Sequence, residues 1–234
     1  MIQFRNVTKK YGKTRALDDI SIDIGKGKIT GLLGPNGSGK TTMIKLIMDL
    51  NKPSAGEILI NNAPISQDIK KHIAYLPEID HFYSWMKIKD AKDFVQTFYE
   101  DWDERLYEEL LSFLELEENM AIKKISKGQR AKAKLLLAFS RKADIILLDE
   151  PLSGIDIFTR EKIVETMIKD YREVEQSIVI TTHEIKEIEQ VIDDVVFLKQ
   201  GKIVLQGEAK QLQAKRNLSL VDLMKEAYGD GKGF

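Results

Sequence analysis

Lys28-Ile29-Thr30-Gly31-Leu32-Leu33-Gly34-Pro35-Asn36-Gly37-Ser38-Gly39-Lys40-Thr41-Thr42 is the stretch on which the reading of this chain turns. Its first six residues form a short, mostly apolar run closed by glycine, which predicts a buried strand entering a tight turn. Beyond it, Met43, Ile44, Ile47 and Met48 recur at helical spacing, and Asn51, Pro53 and Gly56 end the helix. Gly34 to Thr41 matches G-x-x-x-x-G-K-[ST] in the strand-to-helix context that the motif requires. Glycines let backbone N–H groups converge on phosphate oxygens without Cβ clashes, and the helix N-terminus adds partial positive charge. Lys40 is placed to reach the β- and γ-phosphates, and the Thr41 hydroxyl to reach Mg²⁺.

Ile145-Ile146-Leu147-Leu148-Asp149-Glu150 supplies the complementary half. Four apolar residues predict a buried strand with two acids at its carboxyl end, where open α/β sheets bind ligands. Neighbouring strand residues point opposite ways, so Asp149 and Glu150 address different points: a Mg²⁺ shell and an attacking water. Around these two motifs, Ile2, Phe4 and Val7, then Ile20, Ile22 and Ile24, then Ile58 and Ile60 alternate as strands. Ser177 to Thr181 reads as another strand. Val195 to Leu198 and Ile203 to Leu205 flank a hairpin signal at Lys199-Gln200-Gly201-Lys202. Helices are expected around Ile163, Met167 and Tyr171, around Ile185, Ile188 and Val191, and around Leu218, Val221 and Met224.

Between Pro77 and Lys142 the texture changes. Phe94, Phe98, Trp102, Leu106, Leu110 and Leu114 fall four apart, predicting a mostly helical insert. Charge is segregated inside it. Glu100 to Glu118 holds nine acids and one arginine, and Ala121 to Lys142 holds eight basic residues and no acid. Such runs read either as solvated faces or, for the basic one, as an attractor of phosphate. Strands alternating with helices give an α/β fold with a mainly parallel sheet. The boundaries expected are 1–76 and 143–206 for the core, 77–142 for the insert and 207–234 for a C-terminal helix and a glycine-rich tail, Gly229 to Phe234, that frays.

The 234 residues carry 36 basic and 37 acidic side chains, so a bulk-basic nucleic-acid binder is disfavoured. With no cysteine there is no disulfide scaffold, thiol catalysis or thiolate metal site, which suits the cytosol. His72, His81 and His183 are scattered and form no H-E-x-x-H, which argues against a zinc site. The start of the chain does not read as a secretory signal. The longest uninterrupted apolar run, Leu135 to Phe139, is far short of the roughly 18 residues of a membrane helix.

With the phosphate loop and the Asp149-Glu150 strand in place, the chain from about Met1 to Gln206 resembles the ATP-binding cassette (ABC) ATPases, whose motifs occur here in order. The resemblance implies a P-loop NTPase core, an N-terminal antiparallel β subdomain and an α-helical insert. It implies an ATP site of Tyr11 (stacking on adenine), Gly34, Pro35, Asn36, Gly37, Ser38, Gly39, Lys40, Thr41 and Thr42. Mg²⁺ would be held by Thr41, Asp149 and Glu78, the last at the glutamine-loop position in Tyr75-Leu76-Pro77-Glu78. Glu150, Lys40 and the switch histidine His183 would be catalytic. Ile125-Ser126-Lys127-Gly128-Gln129 resembles the signature Leu-Ser-Gly-Gly-Gln, acting in trans, and Ser153-Gly154-Ile155-Asp156 the D-loop. Ser126 is also a natural N-cap for a basic helix.

Two residues depart from the family pattern. Lys127 replaces the first signature glycine, adding bulk and charge. Glu78 replaces a glutamine, and a carboxylate cannot donate a hydrogen bond.

The implied function is ATP hydrolysis by a cytoplasmic subunit of a bacterial transporter. It would dimerise with a second cassette, identical or paralogous, around two ATPs. It would sit on the inner face of the membrane through a separate integral membrane subunit. The single short cassette looks more like an exporter ATPase than an importer ATPase. His81, Phe82, Tyr83 and Trp85 either receive a helix of the membrane subunit or form insert core. A soluble ABC ATPase acting on nucleic acid or the ribosome is the alternative, motivated by the basic run. The long coiled coil or tandem cassettes of such proteins are not present, so no direct nucleic-acid contact is expected.

Overall fold

The structure is a computed structural model and describes residues 1–174, 176–183 and 185–229, the side chains of 167–174 excepted. The tail expected to fray, beyond Gly229, and the side chains of Met167 and Tyr171 lie outside the described residues. In chain order the elements are β1 (Ile2–Tyr11), β2 (Thr14–Ile24), β3 (Ile29–Leu33), α1 (Lys40–Ile47), β4 (Ala55–Ile60), β5 (Ala63–Pro64), α2 (Gln67–Lys71), β6 (Ile73–Leu76) and α3 (Ile88–Phe98). There follow α4 (Glu104–Phe113), α5 (Lys127–Phe139), β7 (Ile145–Asp149), α6 (Ile157–Val174), β8 (Ser177–Thr182), α7 (Ile185–Ile188), β9 (Asp194–Lys199), β10 (Lys202–Glu208), α8 (Ala209–Arg216) and α9 (Leu220–Tyr228).

Two sheets share the work. One is antiparallel in the order β2-β1-β4-β5, and the other runs β10-β9-β3-β8-β7-β6. Within the second, β6, β7, β8, β3 and β9 are parallel, and only β10 turns back, through the hairpin at Gln200-Gly201. Both hairpin residues have positive φ, 49° and 76°, as a two-residue turn matched to the strand twist requires.

The parallel strands are apolar on both faces because helices or the other sheet cover both. Alternation divides them between two cores. Ile145, Leu147, Val179 and Leu32 pack with α1 and the antiparallel sheet. Ile146, Leu148, Ile178, Ile180 and Leu33 pack with the insert and the C-terminal helices. Continuing this parity puts Asp149 and Thr181 on the α1 side, which fixes the site described below.

The four-residue spacing from Phe94 to Leu114 does not run through one helix. Tyr99 is extended, and Asp103 Oδ1 accepts from the Leu106 N–H at 3.1 Å, starting a separate α4. Phe94 and Phe98 are left exposed, in a tilted contact with ring centroids 5.0 Å apart and planes 55° from parallel.

The segregated charges meet across this break. Lys142 pairs with Asp103, and Arg141 pairs with Asp101 through Nε at 2.8 Å and Nη2 at 2.8 Å. Arg141 is buried, donates from Nη1 to the Ile73 carbonyl at 2.9 Å and lies over the Tyr99 ring. A single guanidinium thereby ties the insert to the edge strand β6. Removing one partner of a buried, bonded ion pair strands the other charge and typically costs about 3–5 kcal/mol. Arg141→Met is accordingly expected to lose about 3 kcal/mol or more of stability in urea unfolding.

Candidate active site

The loop from Gly34 to Gly39 joins β3 to α1, and two of its glycines, Gly34 and Gly39, stand where a side chain does not fit. A Cβ on Gly34 would sit 2.5 Å from the Leu198 carbonyl oxygen. Gly39 has φ +115°, and a Cβ there would lie 2.7 Å from Leu17 Cδ2 and 2.9 Å from the Ala16 carbonyl oxygen. The antiparallel sheet therefore presses directly on the loop. The β9–β10 hairpin holds it from another side, the Gly201 N–H donating to the Ser38 carbonyl at 2.9 Å. α1 begins without a side-chain cap and without an acid in its first turn, leaving its N-terminal dipole open to an anion. Lys40 is 6% exposed, its Nζ donating to the Gly34 carbonyl at 2.7 Å and lying 3.8 Å from Glu150 Oε1.

Asp149 is buried beside this loop. Its Oδ1 accepts from the Thr41 hydroxyl at 3.1 Å and from the Thr181 hydroxyl at 2.6 Å. Its Oδ2 is buried with no hydrogen-bond partner. A buried carboxylate oxygen without a partner is costly, and a further ligand would offset that cost. With Thr41 it makes an all-oxygen set suited to a hard divalent cation.

Glu150 follows with a left-handed backbone, φ +49°. Its N–H is held by both the carbonyl and the hydroxyl of Thr181, at 3.0 and 3.1 Å. Oε2 accepts from His183 Nδ1–H at 2.9 Å, since a carboxylate only accepts. Lys40, Thr41, Asp149, Glu150 and His183 are thus brought together by three adjacent strand ends.

The remaining sequence candidates lie elsewhere. Ser126 caps α5 as expected: the Gln129 N–H donates to Ser126 Oγ at 3.1 Å, and the Ser126 N–H to Gln129 Oε1 at 3.0 Å. Among the described residues, no hydrogen bond or ion pair joins Ser126 to Gln129 with the phosphate loop of the same chain. Signature and D-loop segments pack on each other instead. A Cβ on Gly128 would lie 2.9 Å from the Gly154 carbonyl oxygen, and one on Gly154 would lie 3.1 Å from the Lys127 stem. Asp156 Oδ1 accepts from the Thr159 N–H at 3.0 Å, and hydrogen bonding from the Thr159 side chain first, and from this N–H second, holds its carboxyl below the usual range.

Glu78 is exposed and makes no hydrogen bond or ion pair with Thr41 or Asp149 among the described residues. Tyr11 is exposed at the β1–β2 turn, its hydroxyl accepting from Asn51 Nδ2 at 3.1 Å and its ring under Lys9 Nζ.

Two residues passed unnoticed in the sequence. Thr181 holds both carboxylate residues, though a threonine closing an apolar strand reads only as a strand former. Lys134 on α5 is buried and donates to the carbonyls of Pro77 and Glu78, at 2.8 and 3.0 Å. Burial pulls its ammonium below the usual lysine range, opposed by the charges of Asp80, Glu78 and Asp149.

A strand ending in a glycine loop that opens a helix, with two carboxylates on the next strand but one, defines a P-loop nucleotide-binding ATPase. The sequence profile described as "ABC transporter" matches residues 17–153. The chain is 33% identical over 230 residues to the ABC transporter ATP-binding protein YtrB of Bacillus subtilis, covering 97% of this chain and 75% of that protein. It is 32% identical over 225 residues to the petrobactin import ATP-binding protein YclP of the same organism, covering 91% and 88%. The dimeric cassette MJ0796, solved in a post-hydrolysis state with ADP and Pi, superposes with TM-score 0.80 at 26% identity, covering 89% and 98%. An ATP-binding subunit of an ABC transporter superposes with TM-score 0.87 at 24% identity, covering 98% and 100%, a likeness of fold. The chain belongs to the ABC transporter family, as an ATP-binding and ATP-hydrolysing subunit.

Thr181→Val keeps the strand former and removes both of its side-chain bonds. The expected result is a fall of about tenfold in ATP turnover with an unchanged circular-dichroism spectrum.

Proposed function

We propose that this chain binds Mg-ATP on Gly34 to Thr42, hydrolyses it in a dimer of cassettes, and drives a separate membrane-spanning subunit. The observation that carries this is the cluster of Asp149, Thr41, Glu150, His183 and Lys40 around one phosphate loop. Lys40 stabilises charge on the β- and γ-phosphates. Glu150, fixed by His183, orients a water and takes its proton. Thr41 and Asp149 are the residues that would hold Mg²⁺, and the buried free Oδ2 of Asp149 supports this. When bound, Mg²⁺ neutralises charge on the phosphate oxygens.

Glu78 is not placed to join them in this conformation, and its contribution would need movement of its loop. Ser126 presents the capped N-terminus of α5 outward, which suits a phosphate held by a second cassette rather than its own. Tyr11 supplies an exposed ring for adenine.

For the membrane partner, Ile79, Tyr83 and Trp85 are 73%, 60% and 69% exposed, the latter two rings stacked at 5.8 Å. Phe82 packs inward against the insert core. Exposed stacked aromatics of this size favour a docked partner over plain surface. No helix among the described residues is long and apolar enough to cross a membrane, so a spanning element would come from that partner.

Export, expected from the sequence, gains no support from similarity. Relatives at 29–32% identity include petrobactin and zinc import proteins, while an Atm1-family exporter at 18% shares the fold. Three of the eight bases in the run that motivated a nucleic-acid reading pair instead with acids, Arg130 with Asp80, Arg141 with Asp101 and Lys142 with Asp103.

Two experiments test the proposal. Glu150→Gln is expected to cut hydrolysis at least about tenfold and to elute as a dimer with Mg-ATP on size exclusion. A wild type that hydrolyses ATP as a monomer, with a variant that stays monomeric, refutes the dimer mechanism. The double change Tyr83→Ser and Trp85→Ser is expected to abolish recovery with the membrane fraction while nucleotide affinity is retained. Unchanged recovery refutes the docking site.

A further inference from the structure

The C-terminal helix α9 is anchored at both ends to the machinery just described. At its start, the Leu220 N–H donates to Glu189 Oε1 at 2.7 Å, and Gln213 Nε2 donates to the same oxygen at 2.9 Å. Glu189 directly follows α7, the helix that begins two residues after His183. At its end, the Tyr228 hydroxyl donates to the Leu33 carbonyl at 2.9 Å. Leu33 is the last residue of β3, and its carbonyl belongs to the peptide that opens the phosphate loop at Gly34.

Tyr228 is well fixed for this contact. Its ring meets Phe197 edge-on at 6.1 Å, and Phe197 is the strand partner of Leu33. Its own carbonyl accepts from Lys199 Nζ at 3.0 Å. Between the anchors, Leu220 and Leu223 are fully buried in the core. Burial also holds the phenol above its ordinary range, so it stays a donor throughout the working pH.

We infer that Tyr228 is a positioning residue of the phosphate loop: its hydroxyl fixes the Leu33–Gly34 peptide, and with it the direction in which the loop amides point. Gly34 has two further tasks that depend on that peptide's orientation. Its carbonyl accepts from Lys40 Nζ, and its Cα side faces Ser38 and Leu198 with no room to shift. A rotation at Leu33–Gly34 would pass through the Gly34 Cα to the Gly34–Pro35 peptide, whose carbonyl holds the lysine that meets phosphate. The helix thereby joins the loop to the segment carrying His183 through one rigid element outside the sheet.

This inference rests on Gly34 to Thr41 being the phosphate loop, and the test separates the two. In Tyr228→Phe the ring and its contact with Phe197 are kept and only the hydroxyl is lost. Hydrogen–deuterium exchange without nucleotide is expected to quicken at the Gly34 to Lys40 amides. A fluorescent ATP analogue with Mg²⁺ is expected to bind about three- to tenfold more weakly, the range a lost hydrogen bond produces. KM for ATP should rise in step while kcat stays within twofold. Unchanged exchange at those amides overturns the inference whatever the affinity. Changed exchange with unchanged affinity overturns it as well, because the hydroxyl would then brace the loop without setting its grip. Lys40→Ala, measured alongside, checks the loop assignment alone: retained analogue binding in that variant refutes the loop and not the brace.

Discussion

The register of three parallel strands is the constraint on which the rest depends. β3, β8 and β7 pair so that Leu33 lies opposite Thr182 and Asp149 opposite Thr181. Their carboxyl ends are therefore level. Had any strand slipped by one residue, its side chains would have exchanged faces, and Asp149 would point away from α1. The two apolar cores make such a slip expensive, since each strand fills both. The packing energy of the sheet is in this sense what holds a carboxylate and two hydroxyls within hydrogen-bond reach of one another beside a glycine loop.

What was legible in the sequence was whatever is local. The phosphate loop, the Asp149-Glu150 strand end, the Gln200-Gly201 hairpin and the Ser126 cap each rest on residues close together in the chain. The break between α3 and α4 was hidden because the four-residue apolar spacing continues across it, and only the capping Asp103 marks the new start. The role of Thr181 depends on a neighbouring strand 32 positions away, and that of Tyr228 on a contact across 195 positions. The resemblance implies that Glu78 joins the metal ligands. The structure shows its backbone held by Lys134 and its side chain exposed, because a buried ammonium takes the carbonyls of the loop and leaves the carboxylate outward.

The segregated charges of the insert have a simple outcome. Acids of the α3–α4 connection meet bases at the end of α5, so sequences of opposite sign fold back on one another. Arg141 makes this more than surface pairing, because it also donates to the Ile73 carbonyl of β6 and to the Lys71 carbonyl just before that strand. A movement of the insert relative to the core would have to carry β6 with it or break a buried guanidinium pair, so the insert is attached stiffly at that end. At its other end, α5 meets the core through Lys127 stacked on Gly154 and through Lys134 on the Glu78 loop.

Glu150 stands in a backbone conformation that suits glycine or asparagine and disfavours a glutamate by about 1 kcal/mol or more. Two hydrogen bonds from its N–H to Thr181 keep it there. The chain is consequently not at its stability optimum where its chemistry is concentrated. Selection for thermal robustness alone would drift this position toward glycine, and the carboxylate would be lost without any sign of misfolding. Robustness and turnover pull in opposite directions at that one residue, and a screen that scores only folded protein would reward the wrong variant.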